Sequence, residues 1–270
     1  MKGRFFMKRY TILGRRRFFA VFAAFFAVVG VLTVLIGAVP TLVAQTSAAP
    51  RKLPIYCTDR GGKTVAFTFD AAWGNEDTQT LIDIFKENDI HVTFFVVGEW
   101  VDRCGESVKA LSDAGHEVMN HSSTHPHMPT LSVSEMQTEI QTCNQKIAAV
   151  TGKTPTLFRA PYGDYNNTLI DVLSGMHMQC VQWDVDSLDW KDLSADEITD
   201  RVLSRVQSGS IVLFHNAAKH TPEALPGIIQ SLKADGYTFL RASEMLYAAD
   251  SPINHEGRQL GAAASTSSSS

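Results

Sequence analysis

His121 and His125 stand four positions apart in the run Asn120-His121-Ser122-Ser123-Thr124-His125. Two imidazoles at that spacing reach a common point when the backbone makes one helical turn or a tight loop, which is the reach needed to hold a divalent metal through two nitrogens. Pro126 disfavours helix at His125 and points to a turn. Asp70, Arg159, Asp189 and His215 are further scarce chemical groups, each at the end of an element read below. A metal pair, carboxylates, a guanidinium and an imidazole that titrates near neutral pH together read as a metal-assisted hydrolase.

Those groups need a frame. Val65 to Phe69, short, apolar and rich in β-formers, reads as a buried strand, and Asp77 to Asn88 follows with helical spacing at Leu81, Ile82 and Phe85. His91 to Val97 is the next strand, Glu106 to Ala114 the next helix, and Glu117 to Met119 a short strand running into the two histidines. Ser132 with Glu135 is a capping box opening a helix to about Val150, closed by Gly152 and Pro155. Thr156 to Phe158 is a strand leading into Arg159, Thr168 to Leu173 a helix, and Gln179 to Trp183 a strand leading into Asp184 and Asp186. Ser194 caps a helix expected to end near Gly209, Ser210 to Phe214 is a strand leading into His215, and Pro222 to Ala234 is a helix. Tyr237 to Leu240 and Ser243 to Ala248 supply a last strand and a last helical turn or two. About seven βα units in a row imply a mostly parallel sheet wrapped by helices, either open or closed into a barrel. In a parallel barrel the active site gathers at the carboxyl ends of the strands, and Asp70, His121, Arg159, Asp186 and His215 all fall just after predicted strands.

The chain is 270 residues long and 44% hydrophobic, enough for one well-buried core. Residues 1–17 are basic, and 18–39 form a nearly unbroken apolar run. About 20 apolar residues cross a bilayer, and a basic flank stays in the cytoplasm. The expectation is therefore one transmembrane helix that anchors an extracytoplasmic domain. A cleaved signal is the rival reading, with Ser47-Ala48-Ala49 as the small-residue site. Residues 40–62 read as linker and lead-in strand, 63–249 as one domain, and 250–270 as a disordered tail. The net charge is −4, with the basic residues concentrated before the apolar run, so the outer domain is acidic and nucleic acid is excluded as a partner. Oligomeric state is not legible. Cys57, Cys104, Cys143 and Cys180 form no CxxC pair. Outside the cell they allow up to two disulfides in three pairings, or stand as isolated buried thiols.

Five motifs in order carry a resemblance to a family. They are Thr68-Phe69-Asp70, His121 to His125, Arg159-Ala160-Pro161-Tyr162-Gly163, Asp186-Ser187-Leu188-Asp189-Trp190 and Leu213-Phe214-His215. The chain resembles the polysaccharide deacetylases (the NodB-homology domain, carbohydrate esterase family 4) over about Lys63 to Leu246. The Phe-Asp-Ala-Ala-Trp-Gly variant is similar to a bacterial, often sporulation-associated, group of cell-wall deacetylases. The resemblance implies a distorted parallel β/α barrel and removal of acetyl groups from an N-acetylated glycan, with peptidoglycan first and chitin-like oligomers second. It implies His121 and His125 as metal ligands, for zinc, cobalt or nickel, which suit imidazole alike. It implies Asp70 as general base, Arg159 as the group that orients and ionises it, and His215 as general acid paired with Asp189. It further implies that the Tyr162 backbone amide helps hold the oxyanion, and that Trp190 and Leu213 wall the acetyl pocket. Asp184 and Asp186 receive no role.

One position departs from the pattern. Most members carry a second aspartate directly after the base as third metal ligand; here that position is Ala71, followed by Ala72-Trp73-Gly74. A methyl group binds no metal, and three protein ligands plus water is the usual catalytic count. Asp70, Asn75, Glu76 and His127 are the nearby substitutes. The loss admits a second reading, a catalytically dead, membrane-tethered glycan-binding module; an O-acetyl esterase is a third.

Overall fold

The computed structural model describes residues 50–261, together with Gly14, 19–20 and 23–29. The chain divides into two units, Met1–Ala49 and Pro50–Ser270. In the first, residues 23–29 are helical, with Phe25, Phe26 and Val28 exposed. Much of the expected spanning segment 18–39 lies outside the described residues, and among those described no helix is long and apolar enough to cross a membrane.

The described residues of the second unit are laid out on ten strands: β1 (Cys57–Thr58), β2 (Thr64–Ala71), β3 (Thr93–Val96), β4 (Glu117–Asn120), β5 (Leu157–Phe158), β6 (Gln179–Cys180), β7 (Val185–Asp186), β8 (Ser210–His215), β9 (Thr238–Phe239) and β10 (Arg258–Gln259). β8, β2, β3, β4, β5 and β6 lie side by side in that order, all parallel, and β7 returns to pair with β8 in parallel. The alternation allowed an open sheet or a barrel; seven parallel strands, with helices between all but β6 and β7, make the barrel-like form that the resemblance implied. The lead-in segment fills the seam between β6 and β8: Ile55 bridges Val181 in parallel, and Cys57 pairs antiparallel with Ser210. β2 is buried along all but its first residue, as a parallel strand covered on both faces must be.

Register decides which residues face the barrel mouth. Phe69 is directly opposite Phe94 of β3 and Phe214 of β8. The three rings stack, with centroids 5.0 and 5.2 Å apart, in the cluster that packs against the helices. Side chains alternate along a strand, so the next row turns the other way. That row is His215, Asp70 and Phe95. The aromatic row outside therefore fixes the chemical row inside.

The helices follow the expected spacing, with informative differences. The helix Val133–Thr151 has its capping box at Ser132 and Glu135, ends on Gly152 at φ 71°, and buries Met136, Ile140, Cys143 and Ile147 as one stripe. The helix begun by Ser194 stops at Leu203, well before Gly209. There the chain must turn into β8: Gln207 N–H donates to Ser210 Oγ, and Gly209 N–H donates to the Thr64 carbonyl. A helix at Gly98–Arg103 went unforeseen because it is only six residues long and shows too little periodicity to read. The segment assigned to a tail from 250 stays packed as far as β10, which lies parallel to β1 with Gln259 buried. Gln259 Nε2 donates to the carbonyls of Tyr247 and Ala248, so one polar side chain pins the segment that composition alone reads as loose. All four cysteines are free; Cys57, Cys143 and Cys180 are buried and Cys104 is partly exposed.

Phe69→Ala should remove the centre of the aromatic row and cost ~3–5 kcal/mol of stability, read from urea unfolding. A loss below ~1 kcal/mol would mean that the row does not hold the register.

Candidate functional site

At the carboxyl ends of the strands lies a cavity of about 440 Å³, lined among others by Asp70, His121, His125, Tyr162, Trp190, Leu213 and His215. These seven come from five separate stretches of the sequence. Arg159 and Asp189, the other two residues singled out, sit directly behind the lining, fully buried and in contact with Asp70 and His215. All nine therefore converge at one place.

Arg159 is the anchor. Its side chain is 0% exposed and donates from Nη1 to Asp70 Oδ1 at 2.8 Å. Its Nε and Nη2 donate to the carbonyls of Val181 (3.3 Å) and Gln182 (3.0 Å). The guanidinium lies over the Phe95 ring at 4.2 Å. Burial alone would raise the pKa of Asp70. The neighbouring His121, Arg159 and His215 and the Arg159 hydrogen bond outweigh it and hold this carboxyl below its ordinary value.

The His121–His125 loop is a turn, as Pro126 requires. Ser122 and His125 have φ of 67° and 61°. His121 Nδ1 lies 2.8 Å from the Arg159 carbonyl oxygen, which can only accept, so the ring proton sits on Nδ1 and the Nε2 lone pair is free. The Nε2 atoms of His121 and His125 face each other at 3.2 Å. Two nitrogens on one tetrahedral zinc stand about 3.3 Å apart. Burial keeps both rings neutral, as ligands must be: the His121 pKa is lowered and that of His125 falls to about 4. The pair thus fits two places on one cation. Asp70 Oδ2 is 3.5 Å from His121 Nε2. Among the described residues no group of three or more His, Cys, Asp or Glu is arranged to hold a metal.

The proposed substitutes for the third ligand point elsewhere, Asp70 excepted. His127 is exposed, hydrogen-bonded to Asp164 at 2.5 Å and stacked on Tyr162. Asn75 Nδ2 donates to Ser107 Oγ, and Glu76 Oε2 accepts from the Asn75 N–H. Ala71 is buried in the cluster under the helices, while Ala72 lines the cavity.

His215 is held from behind. Its Nδ1 is 2.8 Å from Asp189 Oδ1, and its own N–H and the Thr221 hydroxyl donate to Asp189 Oδ2 at 2.8 Å each. Burial works against the imidazolium, but the Asp189 hydrogen bond and charge, with Asp70 and Asp186, raise its pKa above the ordinary value. Tyr162 has φ 60°, and its N–H donates to no described residue.

Three supporting residues escaped the sequence reading. Glu139 accepts from the N–H groups of Ser123 and Thr124 and from the Thr124 hydroxyl, all at 2.9 Å, and so pins the histidine loop to the long helix. Asn120 accepts from Ser122 N–H at 2.7 Å and donates to the Ile140 carbonyl. Asn216 donates to the carbonyls of Trp73 and Gly74 and accepts from Ala72 N–H. Their only sequence signal was proximity to a motif: Asn120 and Asn216 adjoin His121 and His215, and Glu139 had none.

Comparison with known proteins gives the same family as the motifs. The polysaccharide deacetylase family model matches residues 58–181. The chain is 31% identical to Bacillus subtilis YlxY, an uncharacterized protein, over 72% of this chain and 60% of that one. It is 35% identical to the peptidoglycan-N-acetylmuramic acid deacetylase PdaC of Bacillus subtilis, over 69% of this chain and 39% of PdaC. Thus it spans less than two thirds of either relative. Among solved structures, BA3943 of Bacillus anthracis, described as a CE4 family pseudoenzyme, superposes with a TM-score of 0.70 at 34% identity, covering 77% of this chain and 73% of that one. A BA3943 mutant is described as having restored enzymatic activity, at 37% identity, a TM-score of 0.69, and cover of 72% of this chain and 71% of that one. On these identities and coverages the chain belongs to the polysaccharide deacetylase family, CE4.

Proposed function

We propose that this protein removes acetyl groups from N-acetylated sugars of a cell-surface polysaccharide, peptidoglycan first among them, with a divalent cation at His121 and His125. The observation that carries the reading is the convergence of a buried carboxylate, a facing pair of neutral imidazoles and a proton-bearing imidazole on one cavity. The deacetylase activity in PdaC's name supports the substrate class.

A cation there, zinc, cobalt or nickel, would polarise the acetyl carbonyl and make water a better acid. The chain's own groups do the rest. Asp70, kept ionised by Arg159, takes a proton from the attacking water. The water oxygen bonds to the acetyl carbon, and the Tyr162 N–H is the free donor for the oxygen that gains charge. His215, kept protonated by Asp189, gives its proton to the sugar nitrogen as the C–N bond breaks. The products are acetate and a free amine. On the apolar run 18–39 and its basic flank, we also infer that the domain is held at the outer face of the cell membrane, or secreted if the segment is cut.

The test is acetate release by the full chain from N-acetylglucosamine oligomers and from peptidoglycan, with and without chelator. Release that the chelator abolishes, and that Asp70→Asn lowers by a factor of ~10²–10⁴, is the expected result. Cation-loaded protein that binds glycan but frees no acetate would establish the inactive module instead, the reading that Ala71 and the likeness to BA3943 favour. Cleavage of acetyl esters alone would make it an O-acetyl esterase.

Because His215 acts protonated, kcat should fall as pH rises through its raised pKa. Asp189→Asn removes the charge that raises it, so the fall should move to lower pH. A pH–rate profile with its alkaline limb unmoved would take the acid role from His215. Glu139→Ala should weaken cation binding ~10–100-fold by loosening the loop without touching a ligand, as measured by titration of the metal-free protein; unchanged affinity would make Glu139 irrelevant to the site.

A further inference from the structure

Trp73 lies two residues beyond β2, and the chemistry above gives it no part. Its indole lies nearly parallel to the His215 imidazole, with planes 19° apart and centroids separated by 5.8 Å. That contact uses only part of the ring system: Trp73 stays 45% exposed and lines the cavity. The position is built. Asn216 Nδ2 reaches the carbonyls of Trp73 and Gly74 at 2.5 and 2.9 Å, and Trp100 Nε1 donates to the Gly74 carbonyl at 2.6 Å. Gly74 has φ 54°, and a Cβ there would meet Ala217 Cβ at 2.5 Å, so the turn that presents the indole needs glycine.

Large apolar side chains open to solvent are few among the described residues of this unit: Trp73, Val133, Tyr162, Trp190 and Ile253. The three aromatic ones all line the same cavity. Chance exposure would scatter them. Their places in the barrel are ordered. Trp73 follows β2 and Trp190 follows β7, the two strands that flank β8 and its His215. Tyr162 follows β5, on the far side of the mouth. The aromatic rim therefore crosses the mouth, while Asp70 and His121 lie buried at the floor. A pyranose has apolar C–H faces and a polar edge, which suits an open aromatic face beside polar groups.

We propose that Trp73 is a sugar-stacking platform, on which a ring next to the acetylated sugar lies, so that the protein grips a chain of sugars rather than one. The inference rests on the glycan-directed reading above. The acetyl group must descend to the floor, which leaves its own sugar in the cavity and the neighbouring rings at the level of Trp73.

The test is calorimetric titration of the full chain with the monomer and the tetramer of N-acetylglucosamine, for wild type, Trp73→Ala and Trp73→Phe. The tetramer Kd should rise about three- to tenfold in Trp73→Ala, the monomer Kd should stay within twofold, and Trp73→Phe should keep most of the tetramer affinity. Tetramer affinity unchanged in Trp73→Ala, or equal weakening for monomer and tetramer, overturns the platform and leaves the glycan reading intact. Wild type that binds neither sugar overturns the glycan reading and the platform with it. Trp73→Phe guards against a fold defect, since it fills the same place.

Discussion

A guanidinium with no access to water sits directly behind the cavity, and the site is arranged around it. Removing one partner of a buried ion pair typically costs ~3–5 kcal/mol, because the other charge is left stranded. Arg159 is satisfied by the Asp70 carboxylate, two main-chain carbonyls and the face of Phe95. These partners come from β2, β3 and the chain just after β6. The ion pair thus fixes the orientation of Asp70 from below and leaves Oδ2 toward His121. Arg159 acts twice, since its own carbonyl oxygen sets the His121 tautomer. A single residue therefore decides which oxygen of the carboxylate and which nitrogen of the imidazole face the cavity.

The backbone of the mouth is strained where it carries chemistry. Ser122, His125, Tyr162, Leu188 and Ala217 all adopt positive φ without being glycine, and all lie in loops that follow a strand of the barrel. Such conformations cost roughly 1–3 kcal/mol each and persist only where their surroundings over-determine them. Here the surroundings are visible: Glu139 and Ser122 Oγ hold the histidine loop, and Asp77 accepts the Ala217 N–H at 2.8 Å. Burial in the row of phenylalanines supplies the rigidity against which these loops are bent.

Much of this was legible from the chain. Alternating strand and helix signals gave a mostly parallel sheet, open or closed, the resemblance implied the barrel, and strand ends located Asp70, His121, Arg159 and His215, because a βα unit shows its period and its caps locally. What escaped depended on tertiary contact. β7 and β10 are two residues each and exist only through their pairing with β8 and β1. Glu139 carries no signal in the sequence; its part appears only where the long helix docks beside the histidine loop. Trp73 received no role from the sequence, and only the fold shows it open at the rim. Gln259 shows the same limit in a polar stretch whose composition suggested disorder.

Ala71 sharpens the division of labour inside the site. Asp70 is the carboxylate that approaches His121 Nε2, and one of its oxygens is already committed to Arg159. An oxygen that filled a third place on a cation would be lost as a proton acceptor, so cation affinity and base strength draw on the same atom. In a site with a separate third ligand the two properties can be set independently. With Ala71 in that place, any cation held by Asp70 would couple them. Ala71 cannot relieve the coupling by a rotamer change, because its side chain packs under the helices with Phe69 while the cavity is walled by Ala72. A carboxylate restored at position 71 would first have to leave that apolar cluster, turning the end of β2 toward the mouth at the expense of the Ala71 carbonyl bond to Val97 N–H.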